Sequence, residues 1–178
     1  ERTSAADVNL CTIWEACQWQ LALGEKRDVT PQPRTEAELE VHFDAWVCFS
    51  DGSWSVTDLI GDMGWIIHDP HSSTKLQGAF STPLVTSDLI AESLALLAGV
   101  EAAKASSALR LACFSDCLEL VVLLNSGAHV NEIEGIVADI HLDASSFLSI
   151  SFHHVPRNKN LQADTLALLS CNLLIRGT

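Results

Sequence analysis

Four acidic residues occupy positions from which they could converge. Asp51 comes just after the apolar run Trp46 to Phe49 and before Gly52, which places it at the end of a central strand where the backbone turns. An Asp-Gly turn with no further role is the competing reading. Asp116 repeats the arrangement, because Leu111 to Phe114 leads through Ser115 into Asp116 and a helix follows; a helix N-cap is the alternative there. Glu92 sits in an Ala- and Leu-rich helix among Ile90, Ala91, Leu94 and Ala95, so it faces either the sheet or water. Asp164 follows Asn160 by one helical turn, a spacing that lets both side chains point the same way. A first-turn Asp favoured by the helix dipole is the plainer account. If the strands bearing Asp51 and Asp116 are adjacent and parallel, both carboxylates emerge at one sheet edge, where ligands collect in α/β sheets. Hard oxygen donors without an accompanying His or Cys set favour Mg²⁺ or Mn²⁺, and a shared site of this kind holds two ions about 4 Å apart. The chemistry such a pair performs is in-line phosphoryl displacement.

The elements that must position these acids are legible from periodicity and turn residues. Ala45 to Phe49, Gly61 to Ile67 and Lys75 to Phe80 read as strands, the third ended by Pro83. Ser87 through Lys104 is the clearest helix, capped by Ser and uninterrupted by Pro. A strand from Leu109 to Phe114 follows, then helices from Cys117 to Asn125 and Val130 to Leu142, a strand from Phe147 to Val155, and a last helix starting near Asn160. Three strands, a helix, a strand, helices, a strand and a helix make an antiparallel half joined to parallel strands by helical crossovers. Upstream, Leu10, Ile13, Trp14, Cys17 and Leu21 form a helical stripe from Asn9 to Gly24, and the charged stretch Glu25–Glu40, with Pro31 and Pro33, reads as a linker. The organisation expected is residues 1–40 as helix and linker, and 41–178 as the compact domain.

Length and composition bound the rest. The 178 residues are 48% hydrophobic, enough for one domain with a sizeable core. The six cysteines, Cys11, Cys17, Cys48, Cys113, Cys117 and Cys171, lack disulfide-scaffold spacing and read as reduced thiols; Cys113 and Cys117 have no second pair with which to hold zinc. No apolar run reaches the roughly 18 residues of a membrane span, and the amino terminus lacks a secretion signal, so an intracellular protein of nucleus or cytoplasm is expected, with no membrane partner. The formal net charge of −13 is awkward for a nucleic-acid partner, which a basic face would normally meet. Arg157 and Lys159 stand beside one of the acids, while Lys75, Lys104 and Arg110 are scattered, and bound metal ions would add local positive charge.

From Cys48 to Arg157 and on to Leu169 the sequence resembles the ribonuclease H-like domains of plant retroelement polyproteins, the non-LTR retrotransposon or reverse transcriptase-like family. The resemblance is carried by Ser50-Asp51-Gly52-Ser53-Trp54, by Ala91-Glu92-Ser93-Leu94-Ala95, by Phe114-Ser115-Asp116-Cys117, and by the stretch from Val155-Pro156-Arg157-Asn158-Lys159-Asn160 to Ala163-Asp164-Thr165-Leu166-Ala167. It implies an α/β ribonuclease H fold, a five-stranded mixed sheet with its first three strands antiparallel, flanked by helices. It also implies that Asp51, Glu92, Asp116 and Asp164 are catalytic residues and the ligands of two Mg²⁺ or Mn²⁺ ions, with Asp51 contacting both. The implied activity is endonucleolytic cleavage of the RNA strand of an RNA/DNA hybrid. Many relatives carry a His in a flexible loop before the last acid, whereas this chain has Pro156 to Asn160, and Arg157 takes that place.

Gly52, Ser53, Arg157 and Asn160 are the expected substrate-binding residues: small groups near Gly52 and Ser53 reading 2′-hydroxyls across a wide minor groove, and Arg157 meeting a phosphate or assisting product departure. His153 and His154 close a strand and read as structural. The region before Val41 lies outside the resemblance and reads as the tail of an upstream reverse transcriptase module, a partner in the same polyprotein, or as packing. Two other functions are compatible with the pattern. One is an exonuclease or strand-transfer enzyme of the same fold; the other is a catalytically weak or silent domain that positions nucleic acid or binds protein.

Overall fold

A computed structural model describes residues 41–72 and 75–175, together with side chains up to Ser170. The helix expected over Asn9–Gly24 and the linker after it lie outside the described residues. Along the chain run β1 (Trp46–Ser55), β2 (Ile60–His68), β3 (Lys75–Pro83), α1 (Asp88–Ala105), β4 (Arg110–Ser115), α2 (Leu118–Ser126), α3 (Glu134–Ala144), β5 (Ser149–His154) and α4 (Leu161–Ile175). The five strands form one sheet in the order β3-β2-β1-β4-β5. β1, β2 and β3 pair antiparallel, while β4 runs parallel to β1 and to β5. This is the mixed sheet that the order of elements implies.

Local chemistry sets the element boundaries. The β1–β2 hairpin turns where Leu59 N–H donates to the Ser55 carbonyl at 2.9 Å and Ser55 Oγ donates to Asp58 Oδ2 at 3.0 Å. Ser87 caps α1, its Oγ accepting from Ile90 N–H at 3.2 Å. Gly127 ends α2 in the left-handed conformation at φ 67°, which a Cβ would disfavour. Several expected boundaries move, among them the ends of β1, which runs past Phe49 to Ser55, and of β3, which runs past Phe80 to Pro83. α3 begins at Glu134 rather than Val130, because Ile133 N–H turns back onto the Val130 carbonyl at 3.1 Å before the helix can start. β5 begins at Ser149 rather than Phe147, whose N–H is bonded to Ala144 at the end of α3.

The two sheet faces are filled differently. The larger core lies on the face covered by α1, where Ile67, Leu96, Val100, Leu111, Leu120 and Ile140 are buried. On the other face Phe49, Phe114 and His153 stack in series with ring centroids 5.1 Å apart, which gives His153 the structural place expected of it; His154 is exposed. Alternation along β1 puts Asp51 on the same face as Phe49 and turns Gly52 toward α1. Two backbone approaches then fix the helices. A Cβ on Gly52 would stand 2.3 Å from the Ala91 carbonyl carbon and 2.4 Å from Glu92 N, and one on Gly64 would stand 2.4 Å from Ala167 N in α4. Glycine at these two points lets each helix lie directly on the sheet. Cys48 and Cys113, paired across β1 and β4, are buried free thiols, and Cys117 is half-buried and free.

Candidate active site

β1 outruns its parallel neighbour. The β1–β4 register covers Trp46 to Phe49 against Leu111 to Phe114, whereas β1 continues to Ser55 along β2. Asp51 therefore lies within a strand, paired with Gly64, and not at a turn as Asp-Gly chemistry suggests. Beyond Phe49 that flank of β1 has no strand beside it among the described residues, so groups from both faces of the sheet can reach one another there. Asp51 arrives from β1, Glu92 from α1 and Asp116 from the end of β4. Ligand oxygens of these three carboxylates all lie within 4.8 Å of one another.

Asp164 stands at the rim of this group and outside the tight trio. Its Oδ1 accepts from Arg157 Nη2 at 3.3 Å, and Arg157 Nε is 4.0 Å from Asp116 Oδ2. The guanidinium, its side chain 76% exposed, thus covers the cluster as a counter-ion. Asp116 does not itself start α2, whose N-cap is Cys117, with Cys117 N–H donating to Ser115 Oγ at 3.0 Å. Of the residues expected to meet substrate, Arg157 is exposed, Ser53 half-buried and Gly52 buried. Asn160 is 1% exposed and presents no surface to a substrate; its Nδ2 instead donates to the Ser50 carbonyl at 2.9 Å, Asp51 Oδ1 at 3.2 Å and Asp116 Oδ1 at 2.8 Å. Sequence reasoning missed the buried hydroxyls Ser50 and Ser115 beside the acids; their place inside two of the quoted motifs was the available signal.

Crowding of buried acids has an electrostatic consequence. Burial, then Asp116 and Asp164, raise the Asp51 carboxyl to about 7. Burial, then Asp51 and Asp116, push Glu92 up to about 9, against the opposing hydrogen bond from the Gly52 backbone. Folding therefore holds protons on these acids that the unfolded chain would release. Raised folded-state values give stability that is present below the ordinary carboxylate range and lost as pH rises through about 7 and then about 9. In EDTA the melting temperature is expected to fall between pH 5 and pH 9, by roughly 5 °C or more. Millimolar Mg²⁺ should flatten that decline. A metal-free melting temperature that rises over this range would contradict the electrostatic account.

This donor set fits a hard divalent cation: clustered carboxylate oxygens, a deficit of positive charge, and no His or Cys ligand within the trio. The sheet order together with an acid cluster at the open end of β1 defines a ribonuclease H-like domain. The chain belongs to the reverse transcriptase-like family, which matches residues 49–170. Its fold is similar to the N-terminal RNase H domain of a Mycobacterium tuberculosis protein solved as a maltose binding protein fusion, at 21% identity and TM-score 0.67, covering 75% of this chain and 97% of that one. RNase H1 from Halobacterium salinarum is similar at 21% identity and TM-score 0.67, covering 72% and 98%. LC11-RNase H1 in complex with RNA/DNA hybrid is similar at 19% identity and TM-score 0.60, covering 68% and 92%. At these identities the likeness is one of fold. No curated protein matches the sequence. Among the described residues no helix is long and apolar enough to cross a membrane.

Proposed function

We propose that this domain is a metal-dependent endoribonuclease that cuts the RNA strand of RNA/DNA hybrids. The observation that carries the reading is the trio of buried Asp51 and Glu92 with half-buried Asp116, whose oxygens gather within 4.8 Å on the fold of ribonuclease H. That LC11-RNase H1 was solved with an RNA/DNA hybrid supports the choice of substrate. Asp51, Glu92 and Asp116 would hold Mg²⁺ or Mn²⁺, with Asp164 at the rim for a second ion. Bound divalent ions supply Lewis acidity that activates water and neutralises phosphate charge for an in-line displacement leaving a 5′ phosphate. The protein's own groups set the geometry: the acids are held from both faces of the sheet, and Phe49, stacked on Phe114, shares the sheet face of Asp51 two residues along β1. In this reading the backbone and small polar groups around Gly52 and Ser53 would meet 2′-hydroxyls.

Arg157 has two tasks in this reading. It balances Asp164 and Asp116 before metal and substrate arrive, then turns to a phosphate once the acids are occupied. Arg157→Ala should weaken hybrid binding and lower the slope of log Kd against log salt by about 1, with little change in melting temperature because the side chain is largely exposed. An unchanged slope would remove the phosphate role. Residues 41–178 form the catalytic unit in this account, and residues 1–40 are the tail of an upstream module in a retrotransposon polyprotein. The foamy viral protease-reverse transcriptase bound to RNA/DNA hybrid, of which the matched part is 22%, is a parallel for such an arrangement.

The test is cleavage of an end-labelled RNA/DNA hybrid with Mg²⁺, Mn²⁺ or EDTA, beside duplex DNA and single-stranded RNA. Internal cuts confined to the hybrid's RNA strand and abolished by EDTA are expected. A second reading, a domain that positions nucleic acid without cutting it, is favoured by the net charge of −13; binding without metal-dependent cleavage at low salt and high enzyme concentration would select it.

A further inference from the structure

We propose that Asn160 is the positioning residue of the acid cluster, a neutral clamp that holds Asp51 and Asp116 in register for a divalent cation. The proposal rests on the cluster being a cation site. One amide nitrogen shares its two hydrogens among three acceptors, two on β1 and one in the loop after β4: the Ser50 carbonyl at 2.9 Å, Asp51 Oδ1 at 3.2 Å and Asp116 Oδ1 at 2.8 Å. The side chain is 1% exposed, and its Oδ1 is buried with no hydrogen-bond partner. Leaving an acceptor buried and unpaired is unfavourable, so the side chain's orientation is set by what its donor end holds. Turning the amide over would set that oxygen against two carboxylates.

Position gives the clamp its effect. The Ser50 carbonyl lies one residue past the last β1–β4 pair, Phe49 with Phe114, where β4 no longer flanks β1. Asn160 reaches that point from the short 3₁₀ turn Arg157–Lys159, bridging β1 and the loop after β4 just beyond the last rung of their ladder. Asp116 divides its oxygens, Oδ1 to Asn160 and Oδ2 toward the Arg157 guanidinium at 4.0 Å. One oxygen of the carboxylate is thus tied to protein while the other faces a cation. Chemical type matters as much as place: an amide donates to two carboxylates without adding charge, whereas a Lys or Arg there would neutralise the site and displace the metal. Asn160 also sits one turn before Asp164, and its carbonyl accepts from Ala163 N–H at 3.1 Å and Asp164 N–H at 3.2 Å, so the residue that holds the acids also opens α4.

The test is calorimetric titration of the full chain with Mn²⁺, without substrate, on wild type, Asn160→Ala and Asn160→Ser, each checked for folding by melting in EDTA. Weakening of Mn²⁺ binding by about tenfold in the Ala variant is expected, with Ser, which keeps one donor, in between. A role confined to packing would lower the melting temperature but leave the affinity of the folded protein unchanged. Affinity within twofold of wild type in Asn160→Ala, or in Asn160→Ser should Ala not fold, overturns the clamp while leaving the metal site intact. Wild type that binds no Mn²⁺ overturns both the clamp and the site.

Discussion

Asp51→Asn is expected to lower metal-dependent hybrid cleavage by at least about a thousandfold, roughly 4 kcal/mol of barrier, while raising the melting temperature of the metal-free protein above pH 7. Both effects have one source. Asp51 is 2% exposed, and burial followed by Asp116 and Asp164 brings its carboxyl to about 7. Above that pH an anion is held where the surroundings disfavour it, and the fold bears the cost. An amide of the same shape removes the charge and still accepts from Asn160 Nδ2. The stability gain should therefore shrink toward pH 5, where the wild-type carboxyl is protonated in the folded state. Activity is lost because a neutral oxygen is a poor ligand for a hard cation. Opposite signs in the two assays separate this outcome from misfolding, which would lower both; retention of full activity would remove Asp51 from the site.

Gly52→Ala is the second large effect. The new methyl would press on the backbone of α1 at Ala91 C, Glu92 N and Ala91 O, at 2.3, 2.4 and 2.5 Å. Backbone cannot step aside as a side-chain tip can, so α1 must move off the sheet. Overpacking of this kind costs about 3 kcal/mol, or roughly 5–10 °C of melting temperature in a domain of this size. The shift also carries Glu92 away from Asp51 and Asp116, so metal affinity should fall even at low temperature where the variant is folded. Ser53→Ala, one residue along but pointing to the other face, should melt close to wild type. A Gly52→Ala protein as stable and as active as wild type would show that α1 does not rest on β1 at this point.

Much of this arrangement was legible in the chain. Apolar runs mark β1, β2 and β4, and Ser87 before an Ala- and Leu-rich stretch marks α1 to within a residue. The strands leading to Asp51 and Asp116, whose adjacency the order of elements leaves open, lie side by side and parallel. The misread features are those decided by distant packing. Asp-Gly favours a turn locally, yet Asp51 and Gly52 stay extended because β2 pairs with both, against Gly64 and Met63, and α1 needs the space a Cβ would take. Asn160 read as a surface contact because its spacing to Asp164 was visible, whereas its partners Ser50, Asp51 and Asp116 lie far away along the chain. Arg157 was singled out for a phosphate, and its ion pairs with Asp164 and Asp116 add a counter-ion task that spacing did not reveal.

The acidic surface fits a domain that depends on neighbours for affinity. Lys104 is paired with Asp143, and Arg110 with Asp44 at 3.3 Å, so two of the described cations are committed to the fold. Arg157 already sits on the acids. Hybrid affinity of the isolated chain is accordingly expected to be weak and to fall steeply with salt.

The central claim is that Asp51, Glu92 and Asp116 form one cation pocket. Crystals soaked in Mn²⁺ test it most directly, because anomalous scattering locates the ion without reference to activity. The account predicts anomalous peaks between these three carboxylates, lost in Asp51→Asn. Ordered Mn²⁺ found only elsewhere, or no peak at saturating Mn²⁺ with the three side chains in place, would contradict it.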